Sequence, residues 1–143
     1  MKSVLFSGSE VSGFSGNVGV LALRLFVGVS LAFSHGIGKV PPSQEFIAMT
    51  GGLTTMFALY PVLFAWMSGL AELVGGVCIA LGLCTRMAAL FVSINMAVAG
   101  FIFHADDPFQ KKEFAFLYLA SAVCIMLIGC GKFGFDNLVK KRS

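Results

Sequence analysis

Charge is what this sequence has least of. Asp, Glu, Lys and Arg together make up 12% of its 143 residues, against about a quarter in an average soluble domain. With 57% hydrophobic residues and a mean hydropathy of +0.90, there is too little polar surface to cover a water-soluble globule. Alternation of period two is also missing. That removes a closed barrel and makes helices the open choice for crossing lipid, which cannot satisfy bare backbone groups. No G-x-G-x-x-G follows a strand, and there is no P-loop, no flavin motif and no haem-attaching C-x-x-C-H. A classical nucleotide-binding or haem site is therefore not indicated. Cys78, Cys84, Cys124 and Cys130 show no C-x-x-C spacing, so neither a dithiol centre nor a metal site is read from them. No nucleic-acid module is present, and the lack of low-complexity tracts argues against disorder.

The apolar residues are concentrated into segments long enough to span a bilayer, which takes roughly 17–25 residues as helix. Four such spans are expected, at about 17–34, 60–83, 87–103 and 114–129. The first is broken only by Arg24 and the second only by Glu72. The expected fold is all-α: a single integral membrane domain over 1–143, built as an antiparallel bundle of four transmembrane helices. Gly82-Leu83-Cys84-Thr85-Arg86 leaves room only for a tight hairpin between spans two and three. Pro41-Pro42 stops the first helix, and Ser43-Gln44-Glu45 starts a short one. Phe46, Ile47 and Met49 would lay that helix on the membrane surface until Gly51-Gly52 breaks it.

Orientation follows the Lys and Arg residues of the short loops. Lys2, Arg86, Lys132, Lys140, Lys141 and Arg142 fall on one side, and Lys39, Lys111 and Lys112 on the other. Both termini are thus expected in the cytoplasm of a bacterial cell, with the protein in the inner membrane. The Lys140-Lys141-Arg142 cluster can serve as a topology signal or meet anionic membrane lipid. A cleaved signal peptide fits poorly, because Arg24 interrupts the apolar run and no small-residue cleavage site follows it.

Polar groups at bilayer depth are costly and often functional. At 1.5 Å per residue, Arg24, Glu72, Asn95 and Ser121 lie about 10, 15, 13 and 12 Å from the cytoplasmic edge. An Arg24–Glu72 ion pair with Asn95 and Ser121 nearby is expected from this shared level. Such a network can line a site or simply lock helices together. Helical phase puts Arg24, Gly28, Leu31 and His35 on one stripe, and Ala65, Gly69, Glu72 and Gly76 on another. These stripes predict a seam between helices one and two that opens where His35, Lys39, His104 and Glu113 collect. A proton relay, an anionic head-group site, a quinone pocket or a plain solvated cluster all remain open there. His35 and His104 with Asp106 or Glu113 give no metal-ligand spacing, so no metal is expected.

Several of these pieces, in order, resemble the DoxX family of small four-helix bacterial membrane proteins. They are Arg24-Leu25, His35-Gly36-x-x-Lys39, Ala71-Glu72-Leu73-x-Gly75-Gly76, Gly82-Leu83-x-Thr85-Arg86, Tyr118 and the tail Gly129-Cys130-Gly131-Lys132-Phe133-Gly134-Phe135-Asp136. The resemblance covers nearly the whole chain, although the family usually has Pro where Cys130 stands. It implies quinone-linked redox chemistry at the membrane. Some members look like subunits of membrane oxidoreductases, including thiosulfate:quinone oxidoreductase, and others are associated with defence against quinones, catechols or oxidative stress. On that footing His35, Lys39 and Glu72 are the expected catalytic residues. Arg24, His35, Lys39 and Tyr118 would hold a quinone, and a redox partner protein or a second copy of the chain would complete the system. A membrane anchor without chemistry and a small-molecule permease are the other classes. The polar stripe reaches only one membrane face, since Cys78, Leu81 and Leu83 close the other end, which disfavours transport.

Overall fold

A computed structural model describes residues 13–140, and every regular element among them is helical. Helix α1 covers Phe14–Val29 and runs on through a π-helical turn, Ser30–Gly36, and a 3₁₀ turn, Ile37–Lys39. The paired prolines at 41 and 42 then end it, since neither can donate to a helical ladder. Ser43 caps the next helix, α2 (Gln44–Gly51), its hydroxyl accepting from the Phe46 amide at 3.1 Å. A single turn, α3 (Thr55–Leu59), leads into α4 (Pro61–Leu81), where Pro61 takes the first helical position that tolerates a missing N–H. Gly82 stops α4 at φ 73°, and the Leu83 amide bonds back to the Cys78 carbonyl at 2.9 Å. This left-handed glycine ending is the Schellman arrangement. Helix α5 (Thr85–Val98) continues into a π-helical stretch, Ala99–Phe103. Helices α6 (Phe109–Ile128) and α7 (Phe135–Lys140) complete the order.

Three helices are long and apolar enough to cross a membrane: Phe14–Lys39, Pro61–Leu81 and Thr85–Phe103. They coincide with the first three expected spans. The fourth expected segment is also helical, but Lys111, Lys112 and Glu113 sit near the start of α6, and any window of spanning length includes them.

The contacts show how neighbouring helices run. Gly28 lies against Gly76, and Gly36 against Leu73, so α1 and α4 cross in opposite directions. A Cβ on Gly76 would come 2.7 Å from the Gly28 carbonyl oxygen, so the two backbones approach as only glycine permits. Helix α6 packs along α5, with the Phe101 and Phe116 rings 5.0 Å apart and Arg86 reaching the Leu127 carbonyl at the other end. Val27, Leu31, Ile79, Val92 and Ile125 form the centre of the core. The outside is as apolar as the inside: Phe26 is 70% exposed, Phe33 63% and Leu127 67%. Three acidic or basic side chains, Arg24 at 1%, Glu72 at 2% and Asp136 at 4%, are buried instead. This distribution suits lipid and not water. Lys2, Lys141 and Arg142, three of the residues that set the expected orientation, lie outside the described residues, as does most of the basic cluster at 140–142.

Candidate functional site

Buried Arg24 and buried Glu72 do not meet. Arg24 donates to the Ile79 and Ala80 carbonyls, both at 2.9 Å, and to the Cys130 carbonyl. It therefore sits at the C-terminal end of α4, about 10 Å along the helix from Glu72 at 1.5 Å per residue. The expected Arg24–Glu72 ion pair is corrected on this ground. Depths counted from loop edges miss the register that the glycine contacts impose, which sets Arg24 opposite Ala80. In its actual place the guanidinium satisfies carbonyls that a helix end leaves open, at the negative end of the α4 dipole. The tail completes the arrangement. Asp136 accepts from the Cys84 amide at 2.7 Å, and from the Thr85 amide and hydroxyl at 2.9 and 2.8 Å. It thereby caps the start of α5 from a distant part of the chain. Its own amide donates to the Gly82 carbonyl at 2.9 Å.

Glu72 finds its partner elsewhere. Lys39 Nζ lies 2.7 Å from each Glu72 carboxylate oxygen, and Asn95 Nδ2 donates to Oε1 at 3.0 Å. Oε2 keeps only the ion-pair contact with Lys39 among the described residues. Lys39 reaches this position because the chain lies flat on α4: its carbonyl packs on Gly69, where a Cβ would come within 2.8 Å. The ammonium also lies 5.5 Å from the centre of the Phe46 ring, a cation–π distance.

Lys39, Glu72 and Asn95 form one polar end of a cavity of about 530 Å³. Its walls come from α2 and α3 (Phe46, Met49, Thr50, Met56, Phe57), α4 (Phe64, Met67, Ser68) and α5 (Phe91, Ile94, Val98). His104, just past α5, also lines it. Its Nδ1 is 2.8 Å from Asp107 Oδ2, while Lys111 holds the other Asp107 oxygen at 3.1 Å. The hydrogen bond with His104, followed by that from Lys111, keeps the Asp107 carboxyl below its ordinary pKa.

Of the residues singled out in the sequence, Lys39 and Glu72 come together, and Arg24, His35 and Tyr118 do not join them. His35 and Tyr118 meet each other edge to face, with ring centres 5.6 Å apart, and neither lines the cavity. The π-helical turn is the reason. It breaks the 3.6-residue phase that the stripe assumed, so Gly36 faces α4 and His35 stands exposed beside it. The cavity consequently lies between α4, α5 and the α2–α3 connection, and α1 contributes only Lys39 from beyond its π turn. Ser121 and Glu113 are not on its wall, whereas Asn95 is. Asn95 was visible in the sequence only as a polar residue at a similar depth. Asp136 gave no sign of its capping role, because that role depends on where the tail folds back. Among the described residues no cluster of three metal-ligating side chains forms.

A small all-helical chain with lipid-facing surfaces and a buried polar site defines a membrane protein, and the comparisons give its family. The sequence profile of the DoxX family matches residues 19–105, and the chain belongs to that family. It is 32% identical to an uncharacterized protein of Haemophilus influenzae over 130 residues, covering 85% of this chain and 92% of that one. A second uncharacterized Haemophilus influenzae protein is 26% identical over 92% of this chain and 90% of its own length. The Bacillus subtilis protein named "Putative oxidoreductase CatD" is 27% identical over 87% of this chain and 89% of that protein. No solved structure matches.

Proposed function

We propose that this chain is a bacterial inner-membrane protein with four antiparallel transmembrane helices, α2 lying on the outer membrane surface and both termini in the cytoplasm. It acts as a quinone-linked subunit of a membrane oxidoreductase or redox-stress system. One observation carries the proposal: Lys39 and Asn95 converge on the buried Glu72 carboxylate in the lining of an otherwise largely apolar cavity rich in Phe and Met. The volume falls within the roughly 300–1,000 Å³ of small-molecule sites, which pair apolar walls with a few fixed polar groups. A quinone matches that chemistry, with a flat ring for Phe and Met walls and a carbonyl oxygen for a cationic donor. A bound quinone supplies an acceptor of electrons and protons. Lys39 offers an N–H and a positive charge where negative charge develops. Asn95 offers a neutral donor, and Glu72 keeps Lys39 in place and can hold a proton. The oxidoreductase name of the Bacillus subtilis relative supports this direction. The electrons would come from a partner protein.

The test is binding of a short-chain benzoquinone to the purified chain in detergent, followed by fluorescence quenching and by extraction of co-purifying quinone. Lys39→Ala and Asn95→Ala are each expected to weaken binding about tenfold, the worth of one hydrogen bond to a charged or desolvated partner. His35→Ala and Tyr118→Ala, outside the cavity, are expected to leave it intact. Full binding in the folded Lys39 and Asn95 variants would overturn the site and favour an anchoring subunit without chemistry.

A further inference from the structure

Lys39, Glu72 and Asn95 hold one another in the cavity's lining and leave its histidine, His104, without a part. Resting on the quinone reading above, we propose that His104, held by Asp107, is the second polar contact of the ligand. Its protonation state selects between the quinone and the hydroquinone.

The geometry fixes which ring nitrogen does this. Nδ1 is committed to Asp107 Oδ2 at 2.8 Å. A carboxylate only accepts, so Nδ1 must carry a hydrogen and Nε2 is left for the cavity. The surrounding turn is built to hold that arrangement. The His104 amide closes the π-helical stretch onto the Ala99 carbonyl at 2.9 Å, the Asp107 amide returns to the His104 carbonyl at 3.1 Å, and Lys112 bonds the Ala105 carbonyl at 2.9 Å. Lys111 keeps Asp107 from turning away. As a neutral ring, His104 then presents a bare Nε2 that accepts from a hydroxyl. As an imidazolium it presents Nε2–H, which donates to a carbonyl. The first form suits a hydroquinone and the second a quinone. Because the Asp107 carboxyl is held below its ordinary range, it stays an acceptor for Nδ1–H in either form of the ring. The side chain is about a third exposed, at 31%, so water reaches it.

Other charges share the neighbourhood. Lys39 and Glu72 line the same cavity, Asp106, Lys111 and Lys112 belong to the turn or follow it closely, and the cavity residues of α2 do not titrate. The test therefore compares variants, using the full chain in detergent under anaerobic conditions, with a short-chain benzoquinone and its hydroquinone as probes. The ratio of the two Kd values is measured at about pH 5.5 and pH 8, either side of the usual histidine range. In the wild type the ratio is expected to move about tenfold, quinone favoured in acid and hydroquinone in base. His104→Ala and the shape-conserving His104→Gln should both bind with a ratio that no longer moves. Asp107→Ala should retain quinone binding in acid and lose the gain for hydroquinone in base, because the Nδ1–H tautomer is no longer held. A wild-type ratio indifferent to pH, or an equal movement in the His104 variants, overturns the inference and leaves the Lys39 end standing. Failure of the wild type to bind either probe overturns the quinone site itself, and this inference with it.

Discussion

A carboxylate enclosed as fully as Glu72 needs a counter-charge, and its own helix has none to give. The supply comes from Lys39, which sits beyond the π-helical turn and lies across Gly69. Removing one member of a buried pair leaves the other uncompensated, at a cost of about 3–5 kcal/mol when both are enclosed. The Lys39 side chain is 30% exposed, and solvent screening brings the expected cost of Lys39→Met down to about 2 kcal/mol. Glu72→Gln should cost less, since Asn95 can still donate to the amide oxygen. The double variant should be more stable than the sum of the two singles implies, and thermal unfolding of all three in detergent measures that coupling. Arg24 provides the contrast. It shares no partner with Glu72 and stands about seven residues away along α4, so Arg24→Leu combined with Glu72→Gln should be additive. Which buried cation served which carboxylate was not legible in the sequence. Arg24 was expected near the depth of Glu72 and Lys39 only at the outer mouth, and the outcome turned on a helix register set by Gly28 against Gly76 and on one extra residue in the turn at 30–36.

At the scale of elements, the hairpin between α4 and α5 is where the chain is locked. A helix end leaves amides or carbonyls without partners, and two meet here within three residues, around the buried Gly82 and Thr85. The end of α4 takes the Arg24 guanidinium, and the start of α5 takes the Asp136 carboxylate. Each charge also opposes the helix dipole it faces. Gly82 and Gly134 let the tail close over this point: a Cβ on Gly82 would come 2.6 Å from the Gly134 Cα, and Gly82 also holds a positive φ. The helices themselves were legible from apolar length, prolines and the Ser43 cap, because those signals are local. The tail's role was not, because nothing in Phe133-Gly134-Phe135-Asp136 says which amides it will meet. Asp136→Ala should destabilise the protein by about 2 kcal/mol, the upper range for a lost cap, since buried amides are left bare. Asp136→Asn should recover about half of that. Melting temperature measures both, and hydrogen exchange at Cys84 and Thr85 should rise in the alanine variant before the global transition. An unchanged exchange rate at those amides would show that Asp136 does not cap α5.

For the whole molecule, the decisive question is the path of α6. Helices α1, α4 and α5 carry the apolar length to cross, but α6 has only about 22 Å of uncharged helix, the 15 residues after Glu113 at 1.5 Å each, against a hydrocarbon core of about 30 Å. Lys111 and Lys112 can make up the difference by extending their ammonium groups to the interface while their stems stay in lipid. Packing along the length of α5 gives α6 a reason to do so, since Phe116 meets Phe101 near one end and Leu127 meets Arg86 near the other. In the proposed orientation the cavity and its His104 wall open at the outer surface, and the Arg24–Asp136 lock lies on the cytoplasmic side. Single cysteines in a background without Cys78, Cys84, Cys124 and Cys130 test this directly, using a membrane-impermeant maleimide on intact cells. Asp106→Cys, on an exposed turn, should label at once, and Lys132→Cys, also exposed, only after the cells are opened. Labelling of both, or of neither, in intact cells would mean that α6 does not cross and that the chain has three spans. The reverse pattern would keep four spans but turn the molecule over, placing the cavity and any electron donor that serves it on the cytoplasmic side.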